Sequence, residues 1–414
     1  MSPHKPVVLY PSPGMGHLVS MIELGKLFTA RGLAVTIVVI ELPNNTGATG
    51  PFLAGVSAAN PSISFHRLPQ VKLVKSEHSM LTFELVHLSN PHLHDFLAGT
   101  SPAILVVDFF CSAAMDVAAE LGIPAYFFCT SGAQVLAFFM HLTVLHQPRS
   151  RPRHHRQHLP LARAACRQHH RRRAVHTIRS LDASSLLHRA TDQVGGGGRD
   201  AWRRVPRVAG YAAQGQRGVP LLRQPRPVQR QADQRGGHRA GGERSEVPVI
   251  LWVVRSPPSD EKPAEPDLDV LLPKGFLDRT KDRGLVVKSW APQRDVLAHD
   301  AVGCFVTHCG WNSVLESVMA GVPMLAWPLY AEQKMNVVFL EQEMRLAVAM
   351  EGYDKEVVEA EEVATKVRWM MDSDGGKVLR ERTLAAMCQA NDALCEGGES
   401  EATLAGLVDS WVHA

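Results

Sequence analysis

The 414-residue chain reads as an α/β protein with two doubly wound parallel-sheet domains separated by a disrupted, arginine-rich middle segment. Three observations carry that reading. Residues 6–40 run strand, glycine-rich loop, helix, strand; the alternation returns at 103–128; and strand and helix signals alternate again from 247 to 350.

In the first stretch, PVVLY and LAVTIVVI are rich in valine and isoleucine, as suits strands buried on both faces of a parallel sheet. Between them lie the loop PSPGMG and a helical run with apolar residues at Leu18, Ile22, Leu27 and Phe28, with Gly32 placed to end it. In the second, AILVVD is followed by a helix at 111–121, Gly122 and the strand PAYFF. Gly122 to Met140 is the most membrane-like part of the chain. Pro124, Thr130, Ser131, Gly132 and Gln134 interrupt it, so a buried strand and a helix are expected rather than stable membrane insertion. The third stretch opens with the strand VPVILWVVR and a loop rich in proline and acids. It continues through GLVVKSW, the helix PQRDVLAH, the strand GCFVTH, the helix WNSVLESVMAG, and the strands VPMLAW and LAVAM. The tail from Glu361 is helical in periodicity.

Composition narrows the function classes. With 45% apolar and 21% charged residues and a formal charge of +3, the average chain is neither a nucleic-acid binder nor disordered. Seven cysteines without a CxxC pair argue against a disulfide framework or structural zinc and fit a reducing compartment. The N-terminus lacks the long apolar core of a secretory signal, so a cytoplasmic protein, taken as a monomer, is expected.

The average hides residues 148–246, which hold 22 Arg, no Lys, no Phe, one Ile and six acidic residues, a local formal charge of +16. A nucleic-acid patch would mix Lys with Arg and interleave aromatics. A solvated basic loop of this length is itself unusual. Arg, Gly, Pro, Ala, His and Gln without Lys, Ile or Phe is what GC-rich coding sequence yields out of frame, and that reading is preferred; no nucleic-acid partner is expected.

One constellation carries ligand chemistry. His308 sits at the carboxyl end of a strand, and Gly310, Trp311, Asn312 and Ser313 open the next helix. A helix N-terminus offers unpaired N–H groups and a positive dipole end, and open parallel sheets bind ligands beyond the carboxyl ends of their strands. His308, Asn312 and Ser313 add side-chain donors for a diphosphate. Glu316 lies one turn further along the same face, where a carboxylate accepts from both ribose hydroxyls. Phosphate first and ribose second is the order a nucleotide presents.

Residues 290–333, WAPQRDVLAHDAVGCFVTHCGWNSVLESVMAGVPMLAWPLYAEQ, resemble the 44-residue signature of plant UDP-glycosyltransferases of family 1. The resemblance implies a GT-B type fold, two Rossmann-like domains facing a cleft. Residues 1–147 would be the acceptor-binding domain, and 247–414 the UDP-sugar-binding domain with its C-terminal helices. Carried over residue by residue, Trp290 stacks on uracil and Gln293 supports the uracil and ribose end. His308, Gly310, Trp311, Asn312 and Ser313 hold the diphosphate, Glu316 takes the ribose, and Glu332 and Gln333 bond sugar hydroxyls. The terminal Gln resembles glucose-using members, so UDP-glucose is the implied donor substrate, with no separate cofactor. The phrases PSPGMGHLVSMIELGKL, VVDFFCSAAMDVAAELGIPAYFF and LWVVRSPP resemble members that glycosylate flavonoids, chalcones and similar phenols.

His17 follows the first glycine-rich loop and Asp108 ends a later strand of the same predicted sheet, so both face one crevice. A hydroxyl needs a base to attack a sugar C1, His titrates near neutrality, and a carboxylate on its other nitrogen fixes the tautomer. The resemblance makes His17 the base, Asp108 its orienting partner, and the reaction an inversion at the anomeric carbon. No metal is expected, since Asp267 and Asp269 lie in a loop far from any predicted phosphate site. A dinucleotide enzyme is disfavoured because PSPGMG lacks the GxGxxG spacing. In the family the middle segment supplies late strands of the acceptor domain, the interdomain linker and a phosphate loop. None is legible in 148–246, so the alternative is an inactive or misfolded relative that at most binds UDP.

Overall fold

The computed structural model describes residues 5–41, 49–73, 81–145, 250–255, 265–281, 284–355 and 358–413, with strand segments 176–177 and 220–223. The chain divides into two compact units, Met1–Val194 with Asp392–Ala414, and Gly195–Asn391.

In the first unit, β1 (Val7–Tyr10), β2 (Val35–Val39), β3 (Ile63–Arg67), β4 (Ile104–Asp108), β5 (Ala125–Phe128) and β6 (His176–Thr177) form one parallel sheet in the order β3-β2-β1-β4-β5-β6. Helices α1 (Met15–Ala30), α2 (Thr49–Ala59), α3 (Leu81–Thr100), α4 (Ala114–Leu121) and α5 (Ala133–Leu145) alternate with them. The run VVLY of β1 is buried throughout because both faces are covered. Val7 and Leu9 join the core against α1, while Val8 and Tyr10 join the one against α3 and α4. The strand order reverses between β1 and β4, which pair through Tyr10 and Val107, so the segments leaving these two strands are neighbours. Gly14, at φ 132°, turns the chain into α1, a conformation side chains avoid.

In the second unit, β7 (Pro220–Arg223), β8 (Ile250–Val254), β9 (Gly284–Lys288), β10 (Val302–Thr307), β11 (Met324–Ala326) and β12 (Ala347–Ala349) form a sheet in the order β12-β11-β10-β7-β8-β9. The helices are α6 (Leu268–Leu271), α7 (Phe276–Thr280), α8 (Gln293–Leu297), α9 (Trp311–Met319), α10 (Gln333–Val338), α11 (Ala360–Asp372) and α12 (Asp374–Leu394). The six residues of β10, VGCFVT, are all buried, as a central strand requires.

Three features depart from the sequence reading. A wholly parallel second sheet was expected, yet β7 runs antiparallel to both β8 and β10, supplying the backbone partners between them. No strand is legible in the sequence of residues 148–246, yet they contribute β6 and β7; the rest of the segment, and with it the out-of-frame reading, lies outside the described residues. The sequence assigns residues 247–414 to one domain, yet α13 (Glu399–Val412) belongs to the first unit. Its apolar stripe decides this: Leu404 and Val408 are buried in the α1 core, Trp411 meets Phe28 and Tyr126 edge-on or tilted, and Arg31 pairs with Glu401 at 2.9 Å.

Among the described residues no helix is long and apolar enough to cross a membrane. The six described cysteines are all free.

Candidate functional site

The first unit brings His17 and Asp108 together. His17 lies in the first turn of α1, just after β1, and Asp108 is the last residue of β4. His17 Nδ1 is 2.8 Å from Asp108 Oδ2, and Asp108 is fully buried. Asp108 Oδ1 accepts the Phe110 N–H at 3.1 Å, capping the short turn Phe109–Cys111. Capping and orienting are therefore compatible roles, one for each oxygen. An ionised carboxylate only accepts, so Nδ1 carries the hydrogen and the lone pair falls on Nε2. Thr130 Oγ1, 3.0 Å from the same Nδ1, is a second partner that sequence reading missed. Phe110 meets the His17 ring edge-on at 5.5 Å, and Phe83, 41% exposed, meets Phe110 at 5.8 Å. The neighbouring Cys111 thiol is pushed well up by burial and by the Asp108 charge, which makes it a poor nucleophile.

The second unit gathers the residues of 290–333 at the carboxyl ends of β9, β10 and β11. Trp290 follows β9 after Ser289, which adopts φ 62°, and the residue is 66% exposed, leaving its indole open to stacking. Gln293 opens α8; its Nε2 donates to Glu316 Oε2 at 2.6 Å and to Ser313 Oγ at 3.2 Å. Arg294 Nε donates to Glu316 Oε1 at 3.3 Å. Burial raises the Glu316 pKa, against the lowering effect of Arg294 and Gln293.

His308 follows β10 and is 7% exposed. Burial pushes its pKa down to about 4, with the Arg255 charge adding to the effect, so the ring is neutral at physiological pH and donates as an imidazole. Cys309 takes a left-handed φ of 62°, held by its N–H on Thr307 Oγ1 at 3.2 Å and by Asn336 Nδ2 on its carbonyl at 2.9 Å. Such a conformation in a side-chain residue costs on the order of 1 kcal/mol and persists because both flanks are tied. Gly310 is required for space: a Cβ there would collide with His308 Nε2. Trp311, Asn312 and Ser313 begin α9, with Trp311 and Ser313 buried; the Trp311 indole N–H has no partner among the described residues.

Glu332 is half-buried immediately before α10, and Gln333 opens that helix at 3% exposure. Gln333 Oε1 accepts the N–H groups of Leu329 and Tyr330 at 2.8 and 3.0 Å. The two backbone donors fix the amide's orientation and leave its NH2 as the remaining donor. All ten predicted residues of this cluster thus fall within one unit, around the first turns of α8, α9 and α10 and one exposed indole.

Sequence reading missed Arg255, Arg294 and Asn336. Arg255 directly follows β8, with Nε donating to the Ser289 carbonyl at 2.9 Å, and supplies a cation beside neutral His308. Its place in LWVVR, at the end of a strand of the same sheet, was the available signal. Asp267 and Asp269 are joined by a local cap, Asp267 Oδ1 accepting the Asp269 N–H at 3.0 Å. Among the described residues no group of three or more His, Cys, Asp or Glu side chains is placed to hold a metal ion.

Residues 272–375 match the family of UDP-glucoronosyl and UDP-glucosyl transferases. The chain is 35% identical to the anthocyanidin 5,3-O-glucosyltransferase of a Rosa hybrid cultivar, over 98% of each chain. It is 34% identical to the phloretin 2'-O-glucosyltransferase of Malus domestica, over 98% of this chain and 99% of that one. The structure of Phytolacca americana UGT2 complexed with UDP-2fluoro-glucose and pterostilbene superposes with a TM-score of 0.73 at 27% identity, covering 99% of this chain and all of the other. Identity at this level over nearly the whole length places the chain in the UDP-glycosyltransferase family, among its plant members, as a GT-B type glycosyltransferase.

Proposed function

We propose that this protein transfers glucose from UDP-glucose to a hydroxyl of a small phenol such as a flavonoid, without a metal and with inversion at the anomeric carbon. The observation that carries the reading is the 2.8 Å bond from His17 Nδ1 to a fully buried, doubly bonded Asp108 carboxylate. That bond places the basic lone pair on Nε2. The phenol O–H proton passes to His17 Nε2, the phenolate oxygen bonds to C1, and the C1–O bond to the diphosphate breaks with its electron pair leaving on UDP. Asp108 stabilises the imidazolium that forms. Phe110 and Phe83 add an aromatic surface beside His17 suited to a planar ring.

Trp290 stacks on uracil, Gln293 and Glu316 meet the ribose end, and His308, Gly310, Trp311, Asn312 and Ser313 hold the diphosphate. The orphaned indole N–H of Trp311 and the cation of Arg255 support an anionic ligand there. Glu332 and the NH2 of Gln333 bond sugar hydroxyls. The protein works as a monomer in the cytoplasm, with residues 1–147 acting on the acceptor and most of 247–414 on the donor.

The test is UDP titration followed by a UDP-glucose assay on a phenol panel, with product stereochemistry read by NMR coupling at C1. A β-glucoside is expected from the native chain, with His17→Ala lowering turnover by at least about a hundredfold while UDP affinity holds. UDP binding without transfer to any phenol would instead mark an inactive relative. Full turnover in His17→Ala would overturn the catalytic assignment.

A further inference from the structure

Glu316 is fixed by two groups rather than one. Its carboxylate is mostly buried, with its side chain 15% exposed, and each oxygen takes a different donor from α8: Gln293 Nε2 on Oε2 at 2.6 Å, and Arg294 Nε on Oε1 at 3.3 Å. The terminal torsion of a glutamate is broad, so a single hydrogen bond would leave the carboxylate free to swing. Two donors on opposite oxygens stop that rotation. Each oxygen retains a further lone-pair site, and the pair then presents two acceptors at a fixed spacing. Arg294 also opposes the burial that would otherwise favour a protonated, half-donating carboxyl.

We propose that Arg294 is the positioning residue that holds Glu316 for a vicinal pair of ribose hydroxyls, and so sets the preference for ribonucleotide over 2'-deoxyribonucleotide donors. This rests on the reading of Glu316 as the ribose acceptor given above. A deoxy ligand leaves one oriented, buried acceptor unpaired, and its penalty is greatest when that acceptor cannot turn away. Lysine at 294 would keep the charge but lose the planar Nε–H, so it should restore only part of the effect.

The experiment measures UDP and 2'-deoxy-UDP affinity by calorimetry on the full chain, in the native form and in Arg294→Ala, Arg294→Lys and Glu316→Gln. Both ligands share uracil and diphosphate, so general damage to the unit weakens both alike and leaves their ratio unchanged. In Arg294→Ala the preference for UDP is expected to narrow about tenfold, the size of one charge-assisted hydrogen bond, with 2'-deoxy-UDP held within about twofold. Arg294→Lys should fall between. An unchanged ratio in Arg294→Ala, with a narrowed one in Glu316→Gln, would overturn the role of Arg294 and keep that of Glu316. An unchanged ratio in Glu316→Gln would remove the ribose reading itself.

Discussion

At His308, burial decides protonation. A helix N-terminus and the Arg255 charge both favour a neutral ring there, and desolvation dominates in pushing the pKa down to about 4. In the unfolded chain the same side chain titrates near its ordinary 6.5. Between those values the unfolded state binds more protons, so stability is full above pH 6.5 and falls as the solution is acidified toward pH 4. His308→Asn should flatten that part of the pH–stability curve by on the order of 3 kcal/mol, measured by urea unfolding across the window. His17 contrasts with it, its Nδ1 being oriented by Asp108 and Thr130. The strand-end positions of His308 and His17 were legible in the sequence, whereas the protonation of one and the second partner of the other were not. Thr130 lies 113 positions from His17, and nothing periodic links them.

At the level of the element, the β10-to-α9 turn shows how a short motif builds its own geometry. Thr307, His308, Cys309 and Gly310 pass from a buried strand into a helix through one left-handed residue, and Asn336 of α10 ties that residue's carbonyl. Gly310 itself has ordinary backbone angles, φ −62° and ψ 138°, so alanine there is not strained; it fails for want of space beside His308. Gly310→Ala is therefore expected to displace the imidazole and weaken UDP about tenfold, the loss of one good hydrogen bond, as read by titration. The strand-to-helix spacing was legible in GCFVTHCGWNS because each constraint acts over a few residues. The clamp on Cys309 was not, since it comes from 27 positions away.

At the level of the whole molecule, the chain's last helix returns to the first unit. Leu404, 2% exposed, and Val408, 5% exposed, complete the core made by α1, β1 and β2. Leu404→Ala should destabilise that unit by about 3 kcal/mol while UDP affinity in the second unit is kept, which unfolding followed by intrinsic fluorescence and a parallel UDP titration would show. The sequence by itself determined the alternation of strands and helices, the strand-to-helix turn at 307–311 and the residues that crowd it, because propensity, capping and strand-end placement are local. Only the tertiary structure decided that α13 leaves the domain it follows, that β7 enters its sheet antiparallel, and that Arg294 reaches Glu316 and Thr130 reaches His17. Those outcomes depend on which distant apolar stripe or unpaired acceptor a segment meets. Arg31 and Glu401, 370 positions apart, carry no trace of each other until the chain has folded.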